Sequence, residues 1–371
     1  MVVMPHPTSQ AKPITRDDVA RLAGVSPAVV SYVVNGGPRA VSPANEAKVR
    51  QAIRALGYRP NAAARALALG SSEMLAMIVP DAINPFYASL ARAVENAAAE
   101  RGYTLLLADS QDSLRTERRL IKNFAARRVD GLFLSSVLFE PDLMDLEQSD
   151  IPVVLLNHPA DLATAGSPAV KKDGAGGRGP NAVGVAFREG ARMAVEHLIS
   201  HGHERIGLVI GGNADSELDA REVGWQQGIQ AAGLTEGPII RVPFTREGGY
   251  RAGQELLARS ERPTAVFVSS DQQAAGLLCA LHEGGLRLPE DLAVFSFDGA
   301  PESEYTWPRL STVAQPLKDL AQGALNALLA SGPGQEPHTK IFPAELVFRA
   351  SCGCHLPAAY PTDSPLRHPT S

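Results

Sequence analysis

Two textures of hydrophobic patterning divide the chain. Up to about residue 57 the apolar positions recur every three to four residues in short stretches, the period of an amphipathic helix; from Leu75 onward they bunch into nearly continuous runs. The first texture predicts three short helices. Thr15 caps a helix with Val19, Leu22 and Ala23 on its inner face, and Gly24 ends it as a residue tolerant of left-handed backbone should. Ser26 caps the second helix, with Pro27 in its first position; Val29, Val30, Val33 and Val34 mark one face until Asn35-Gly36-Gly37-Pro38 stops it. A third runs from about Ser42 to Gly57 with Val49, Ile53 and Leu56 inward. RPNAAARALALG, residues 59–70, favours helix by propensity but is too poor in large apolar residues to fold alone. The first 13 residues are polar and contain proline, and are expected to be disordered.

The second texture predicts buried parallel strands alternating with helices. LAMIVPD (75–81), YTLLLADS (103–110), GLFLSS (131–136), PVVLLN (152–157), RIGLVIGG (205–212), TAVFVSSD (264–271) and LAVFSFD (292–298) are the candidate strands. A unit of strand, polar loop and helix starts twice, at Leu75 and again at Arg205, which implies two doubly wound lobes with a ligand cleft at the carboxyl ends of their strands. Residues 160–182, rich in Gly and Ala with two lysines, read as a surface loop.

Composition and charge narrow the classes. A chain of 371 residues has room for two or three domains, and no window offers the ~20 apolar residues of a membrane helix. MVVMPHPTSQAKP has no basic segment followed by an apolar one, so no secretory signal is expected; three cysteines make no disulfide framework. Both point to the cytoplasm and away from the membrane. The net charge of −5 is uneven: residues 1–70 carry nine Lys/Arg against three Asp/Glu, a net of +6, leaving −11 on the remainder. A basic N-terminal unit on an acidic body is the distribution expected when one end meets a polyanion.

Helix, glycine-containing turn, helix is the arrangement that presents a second helix to a DNA groove. Gly24 makes the tight exit, Val25 plugs the corner, and Ser26 caps the next helix, whose N-terminus is free to approach a phosphate. TRDDVARLAGVSPAVVSYVVNG, followed by VSPANEAKVRQAIRALGYRPNAAARALALG, closely resembles the headpiece and hinge of the lactose-repressor (LacI) family of bacterial transcription regulators. The resemblance continues through DAINPFYASLARAVENAAAERGY, RRVDGLF, ISHGHERIGLVIGG, RPTAVFVSSDQQAAG, GLRLPEDLAVFSFDGAP, LSTVAQP and LVFRASCG, in family order from about residue 14 to 353. It implies an α plus α/β protein: a helix-turn-helix headpiece (14–60), a hinge helix (61–70), and a bilobal domain like a periplasmic binding protein (71–352). Lobe 1 is expected at about 71–182 and 314–336, lobe 2 at 183–313 and 337–352, with a flexible tail at 353–371.

Carried over residue by residue, the resemblance places Pro27, Ala28 and Tyr32 at the major groove and Ser26 at a phosphate-facing or turn position. Pro27 and Ala28 offer only apolar contact, and Tyr32, where the family often has Arg, cannot fork onto a guanine. Ser31 and Asn35 match phosphate-facing or turn positions. In the hinge, Asn61 and Arg65 are expected near the DNA, and Leu67 matches the leucine that wedges between base steps from the minor groove. In the cleft, the resemblance implies that Phe86, Tyr87 and Phe267 form walls, Arg221 forks onto hydroxyls or a carboxylate, and Asp271 and Asp298 accept from ligand hydroxyls. The implied partners are a pseudo-palindromic double-stranded operator, a second copy of the chain and a sugar-like effector, although relatives also bind nucleobases; no cofactor is implied. The tail PTDSPLRHPTS has no leucine heptad, so dimers rather than tetramers are expected.

Two departures bear on the effector. Val185 stands where the family usually has Asp, and the 160–182 loop is longer than usual. A regulator insensitive to effector is therefore the alternative. A sugar-transport protein is remote, because it would need an export signal and no basic headpiece. No GxxxxGK[ST], GxSxG or HExxH is present, and GGNADSELD is too irregular for a dinucleotide fingerprint, so no enzyme is expected. No metal site is expected either. His197, His201 and His203 read as a solvated turn, and Cys352-Gly353-Cys354-His355 lacks a second pair of ligands.

Overall fold

The computed structural model describes residues 14–35, 37, 39–60, 66, 70–136, 151–157, 180–212, 219–331 and 337–354. Two compact units meet the description separately, one up to Ser72 and one from Glu73.

In the first unit, α1 (Arg16–Ala23) opens with a reciprocal cap: the Asp18 amide donates to Thr15 Oγ1, and the Thr15 amide donates to the Asp18 carboxylate at 3.0 Å. Gly24, at φ +65°, turns the chain into α2 (Pro27–Asn35). Ser42 caps α3 (Pro43–Leu56), which ends at Gly57 with φ +63°. Val19, Ala20, Ala23, Val30, Val49 and Ala52 form the core, and Val25 packs on it from the corner. Leu22 is a correction to the expected inner face: it is 56% exposed, and Ala20 is buried instead. At about 100° per residue, positions 19, 23 and 20 span one arc centred on Ala23, and position 22 falls some 60° outside it.

The second unit begins with β1 (Met74–Val79), α4 (Pro85–Glu100), β2 (Thr104–Asp109), α5 (Leu114–Arg127), β3 (Gly131–Leu134), β4 (Val153–Leu156) and β5 (Asn181–Val185). It continues with α6 (Phe187–Ser200), β6 (Ile206–Ile210), α7 (Ala220–Ala231), β7 (Ile239–Arg241), α8 (Arg246–Ala258), β8 (Ala265–Val268), α9 (Asp271–Glu283) and β9 (Ala293–Asp298). Last come β10 (Ser311–Ala314), α10 (Leu317–Ala330), β11 (Thr339–Phe342) and β12 (Glu345–Val347). The strands form two six-stranded sheets, ordered β11-β5-β4-β3-β1-β2 and β12-β10-β9-β8-β6-β7. All pairings are parallel except β10 with β12. The two sheets share one permutation, so the strand order reverses between β1 and β3 in one lobe and between β6 and β8 in the other. Ligands collect beyond the carboxyl ends of strands at such reversals.

The lobe boundaries differ from those expected. β5 pairs with β4 and takes β11 as its outer neighbour, so 181–185 and 339–342 belong to the first lobe, while β10 to Ala314 stays in the second. The chain therefore crosses between lobes three times, at Ala186, at Gln315-Pro316 and at Pro343-Ala344. Val185, the departure at the cleft, is fully buried at the end of β5 within the apolar core. Of the 160–182 loop, residues 160–179 lie outside the described residues.

Candidate functional site

Two regions bear on function, one in each unit. On the headpiece, Ser26, Pro27 and Ala28 are exposed at the start of α2, while Val30 beneath them is 1% exposed. The Val29 amide donates to Ser26 Oγ at 3.4 Å, closing one orphan donor of the helix start. Asn35 Nδ2 donates to Ser31 Oγ at 3.3 Å, one turn apart on the same face. Tyr32 lies with its ring against Gly37: a Cβ at that glycine would come within 2.0 Å of the ring, so only glycine admits this packing. The ring is thereby held at the edge of the helix. Asn61, Arg65 and Leu67 lie outside the described residues.

In the body, the cleft residues follow the strands of both lobes. Asn84 caps α4 by accepting from the Phe86 amide at 3.0 Å, which sets Tyr87 one residue later beyond the end of β1. Phe86 itself is 2% exposed and belongs to the core; its ring meets the Tyr87 ring edge-on at 5.1 Å. It supports the wall and does not form it, which corrects its expected role. Burial, with the nearby Asp298 charge, raises the Tyr87 phenol well above its ordinary value, against smaller opposing effects of Arg221 and of Asn157, which follows β4. Asn157 Oδ1 is buried and, among the described residues, finds no hydrogen-bond partner.

From the second lobe comes Arg221, two residues into α7. Asp219 caps that helix and turns back onto the guanidinium: Nε donates to Oδ1 at 2.9 Å and Nη2 to Oδ2 at 2.6 Å. Nη1 donates to the Ser269 carbonyl at 2.7 Å. The rings of Phe187, Phe244 and Phe297 surround the cation at 5.5, 5.0 and 5.7 Å, each close enough for a cation–π contact. A guanidinium has five donors; three bonds leave one N–H on each η nitrogen for a ligand. Burial opposes both charges of this pair, but Arg221 outweighs burial and holds Asp219 below its usual value, while Asp219 and Asp298 hold Arg221 above its own.

Asp298 ends β9 at φ +124° and accepts from Gln315 Nε2 at 3.1 Å. Burial, then the charge of Asp271, push it well above the carboxylate range, against Arg221 and Gln315. Asp271 does not reach toward a ligand as expected. Its carboxylate is taken up inside the lobe by Ser296 Oγ, by Thr312 Oγ1 at 2.7 Å and by the Ala300 amide at 2.7 Å. These bonds only partly offset burial, which pushes it up to about 6. Phe267 is likewise misplaced by the expectation: it is fully buried mid-strand in the core of the sheet. Among the three rings around Arg221 only Phe244 is part-exposed; Phe187 and Phe297, stacked on each other at 5.4 Å, are buried and back the guanidinium from the core. Gln272 Nε2 reaches Phe244 O at 3.2 Å and Asp81 of the other lobe at 3.5 Å, bridging the cleft.

Asn157, Asp219, Gln272, Gln315 and the three rings were missed by sequence reasoning. Asp219 alone left a local signal, an Asp two residues before the cleft arginine at a helix start. The others are assembled from distant segments.

Known proteins match this arrangement along most of the chain. Residues 15–61 match the family model for bacterial regulatory proteins of the lacI family, and residues 195–352 match the periplasmic binding protein-like domain. Catabolite control protein A of Priestia megaterium is 35% identical, over 85% of this chain and 91% of that protein. The lac repressor dimer bound to operator and the anti-inducer ONPF superposes with a TM-score of 0.78 at 26% identity, covering 92% of this chain and 99% of that one. The transcriptional regulator CelR in complex with cellobiose superposes with a TM-score of 0.63 at 29% identity, covering 91% and 99%. With a helix-turn-helix headpiece on a two-lobed α/β body and relatives of this kind across nearly its whole length, the chain belongs to the LacI family of DNA-binding transcription regulators.

Proposed function

We propose that the protein is a repressor that binds a pseudo-palindromic operator as a homodimer and is gated by a neutral, polyhydroxylated, sugar-like effector in the cleft. The observation that carries the effector class is the Arg221 fork. Its charge is already matched by Asp219, yet two donors remain, ringed by three phenylalanines. Such a fork suits adjacent hydroxyls, and the part-exposed Phe244 ring suits the C–H face of a sugar ring. Asp81, Asp109 and Asp112 on the first lobe disfavour an anionic ligand; Asp112 is itself raised by burial and then by the other two. The cellobiose bound by CelR is of the favoured class.

Gating follows from linkage. A ligand held by Tyr87 on one lobe and Arg221 on the other prefers one angle between lobes, and it shifts operator affinity only as far as that preference goes. By the resemblance of residues 59–70 to the family's hinge, Leu67 is assigned as the minor-groove wedge and Asn61 and Arg65 as DNA contacts. For the dimer, Tyr305 and Trp307 stand 85% and 84% exposed beside a groove lined by Ala275, Leu278, Cys279, His282 and Thr306. Two large aromatics so exposed favour a self-complementary contact between copies.

The test is operator selection from random duplex DNA with purified protein, repeated with neutral sugars, sugar phosphates and nucleosides. A palindromic motif whose recovery changes with a neutral sugar, and no longer changes in Arg221→Ala, is expected. The direction of change distinguishes inducer from corepressor. A response to sugar phosphates or nucleosides alone overturns the effector class. A motif indifferent to every ligand favours the ungated regulator, the reading that the buried Val185 supports. No motif overturns the proposal.

A further inference from the structure

His197 and His201 lie one helical turn apart at the end of α6, and the segment after β12 brings Cys352 and Cys354 against them. The second pair of ligands that Cys352-Gly353-Cys354 lacks in sequence is supplied from a position about 150 residues away. Cys352 Sγ lies 3.3 Å from His197 Nε2; Cys354 Sγ lies 3.5 Å from His197 Nε2 and 3.7 Å from His201 Nε2. The ligand atoms of His197, His201 and Cys354 all fall within 4.8 Å of one another.

We propose that these four residues form a structural Zn²⁺ site. With Zn–N of about 2.0–2.1 Å and Zn–S of about 2.3 Å, the edges of a tetrahedron are about 1.63 times the bond, roughly 3.3–3.8 Å. The three nitrogen–sulfur distances lie in that range, and the ligand atoms of His197, His201 and Cys354 converge; Cys352, which touches His197 alone of the two histidines, becomes the fourth ligand by turning its side chain toward the other three. Zinc is the cation that the donors select: two imidazoles and two thiolates are soft to borderline ligands, unsuited to Mg²⁺ or Ca²⁺. Both thiols release a proton on binding, and Zn²⁺ with two thiolates is then neutral, which suits a half-buried place. Cys352 exchanges its weak donation to the Arg349 carbonyl, at 3.5 Å, for the metal.

The local backbone is shaped for this. Gly353 has φ +90°, a left-handed conformation that side chains disfavour, and it reverses the chain between the two thiols beside the His201 ring. Phe348 and Phe295 pack on the His197 ring at 4.5 and 5.6 Å and hold it in place. His203 is not part of the set, since its Nδ1 bonds Thr264 Oγ1 at 3.0 Å. The ion would tie residues 352–354 to the end of α6 and so clamp the end of the second lobe.

The experiment uses the full-length protein, reduced and stripped with chelator, titrated with Co²⁺ and then Zn²⁺. One Co²⁺ per chain is expected, with thiolate-to-metal charge-transfer absorption and the strong visible bands of tetrahedral cobalt, displaced by Zn²⁺. Zn²⁺ should raise the melting temperature. Cys354→Ser and His201→Ala should each weaken Co²⁺ binding at least about tenfold or erase the charge-transfer band. Cys279→Ser, whose thiol is exposed on α9, should leave both unchanged. Absence of the band at one equivalent, or its persistence in Cys354→Ser, overturns the site. So does thiol titration of protein prepared without reductant that finds Cys352 and Cys354 joined as a disulfide.

Discussion

Removing the Asp219 carboxylate tests whether the cleft is held ready by its own ion pair. The Arg221 side chain is 14% exposed and that of Asp219 27%, so the pair is largely withdrawn from water. Asp219→Ala deletes the bonds at 2.9 and 2.6 Å, together with the cap bond from the Arg221 amide at 2.8 Å that the double variant Asp219→Ala with Arg221→Met also lacks, and leaves a guanidinium with only the Ser269 carbonyl and three rings for company. Breaking a buried pair costs about 3–5 kcal/mol; the residual exposure of Asp219 puts the expected cost near the lower end, about 3 kcal/mol. For a unit of this size about 1 kcal/mol moves the melting temperature by ~2–4 °C, so the body transition should fall by about 6–12 °C. Replacing both members, Asp219→Ala with Arg221→Met, leaves no uncompensated charge and should recover most of that loss. The assay is a double-mutant cycle by calorimetry and urea denaturation on the full chain, with an expected coupling of about 2 kcal/mol or more. A single-variant cost under about 1 kcal/mol, or additive effects within about 0.5 kcal/mol, would show that the pair does not position the arginine.

Other outcomes follow from the same geometry. Leu67→Ala should bind operator at least about tenfold more weakly and bend it less, because unstacking a base step costs a few kcal/mol that the wedge supplies; equal bending in a mobility assay refutes the wedge. Trp307→Glu should convert dimers to monomers in light scattering, and an unchanged mass moves the dimer contact elsewhere. Asp298 should also mark the pH dependence. A carboxyl held well above its usual value binds more protons folded than unfolded, so its contribution is full at low pH and lost as pH rises above about 4. Asp298→Asn lacks that titration, so the stability of the parent relative to the variant should fall with rising pH; a flat difference by urea denaturation from about pH 4 to 8 refutes it.

What the sequence determined by itself is what depends on near neighbours. Thr15, Ser42, Gly24 and Gly57 mark their helix ends because caps and left-handed turns are decided within four residues. The central strands β1, β3, β4, β6, β8 and β9 were legible as apolar runs because both faces of a parallel sheet are covered. Tertiary structure decided the rest. β5, β7, β10, β11 and β12 read NAVGV, IIR, STVA, TKIF and ELV, where polar, charged or glycine residues cut the apolar run short, and only pairing says to which lobe they belong. β10 carries Ser311 and Thr312 because its polar side chains are spent on buried bonds, Thr312 to Asp271 among them, so it does not look like a strand. The same non-local register turned Phe267 inward and satisfied Asp271 within its lobe, while gathering Phe187, Phe244 and Phe297 around Arg221. Arg221 was recognisable by resemblance, but the orientation of its fork depends on a carbonyl 48 residues away. Side-chain direction at strand ends and the meeting of segments as distant as His197 and Cys354 are set by how the sheets stack, and no local pattern along the chain encodes that.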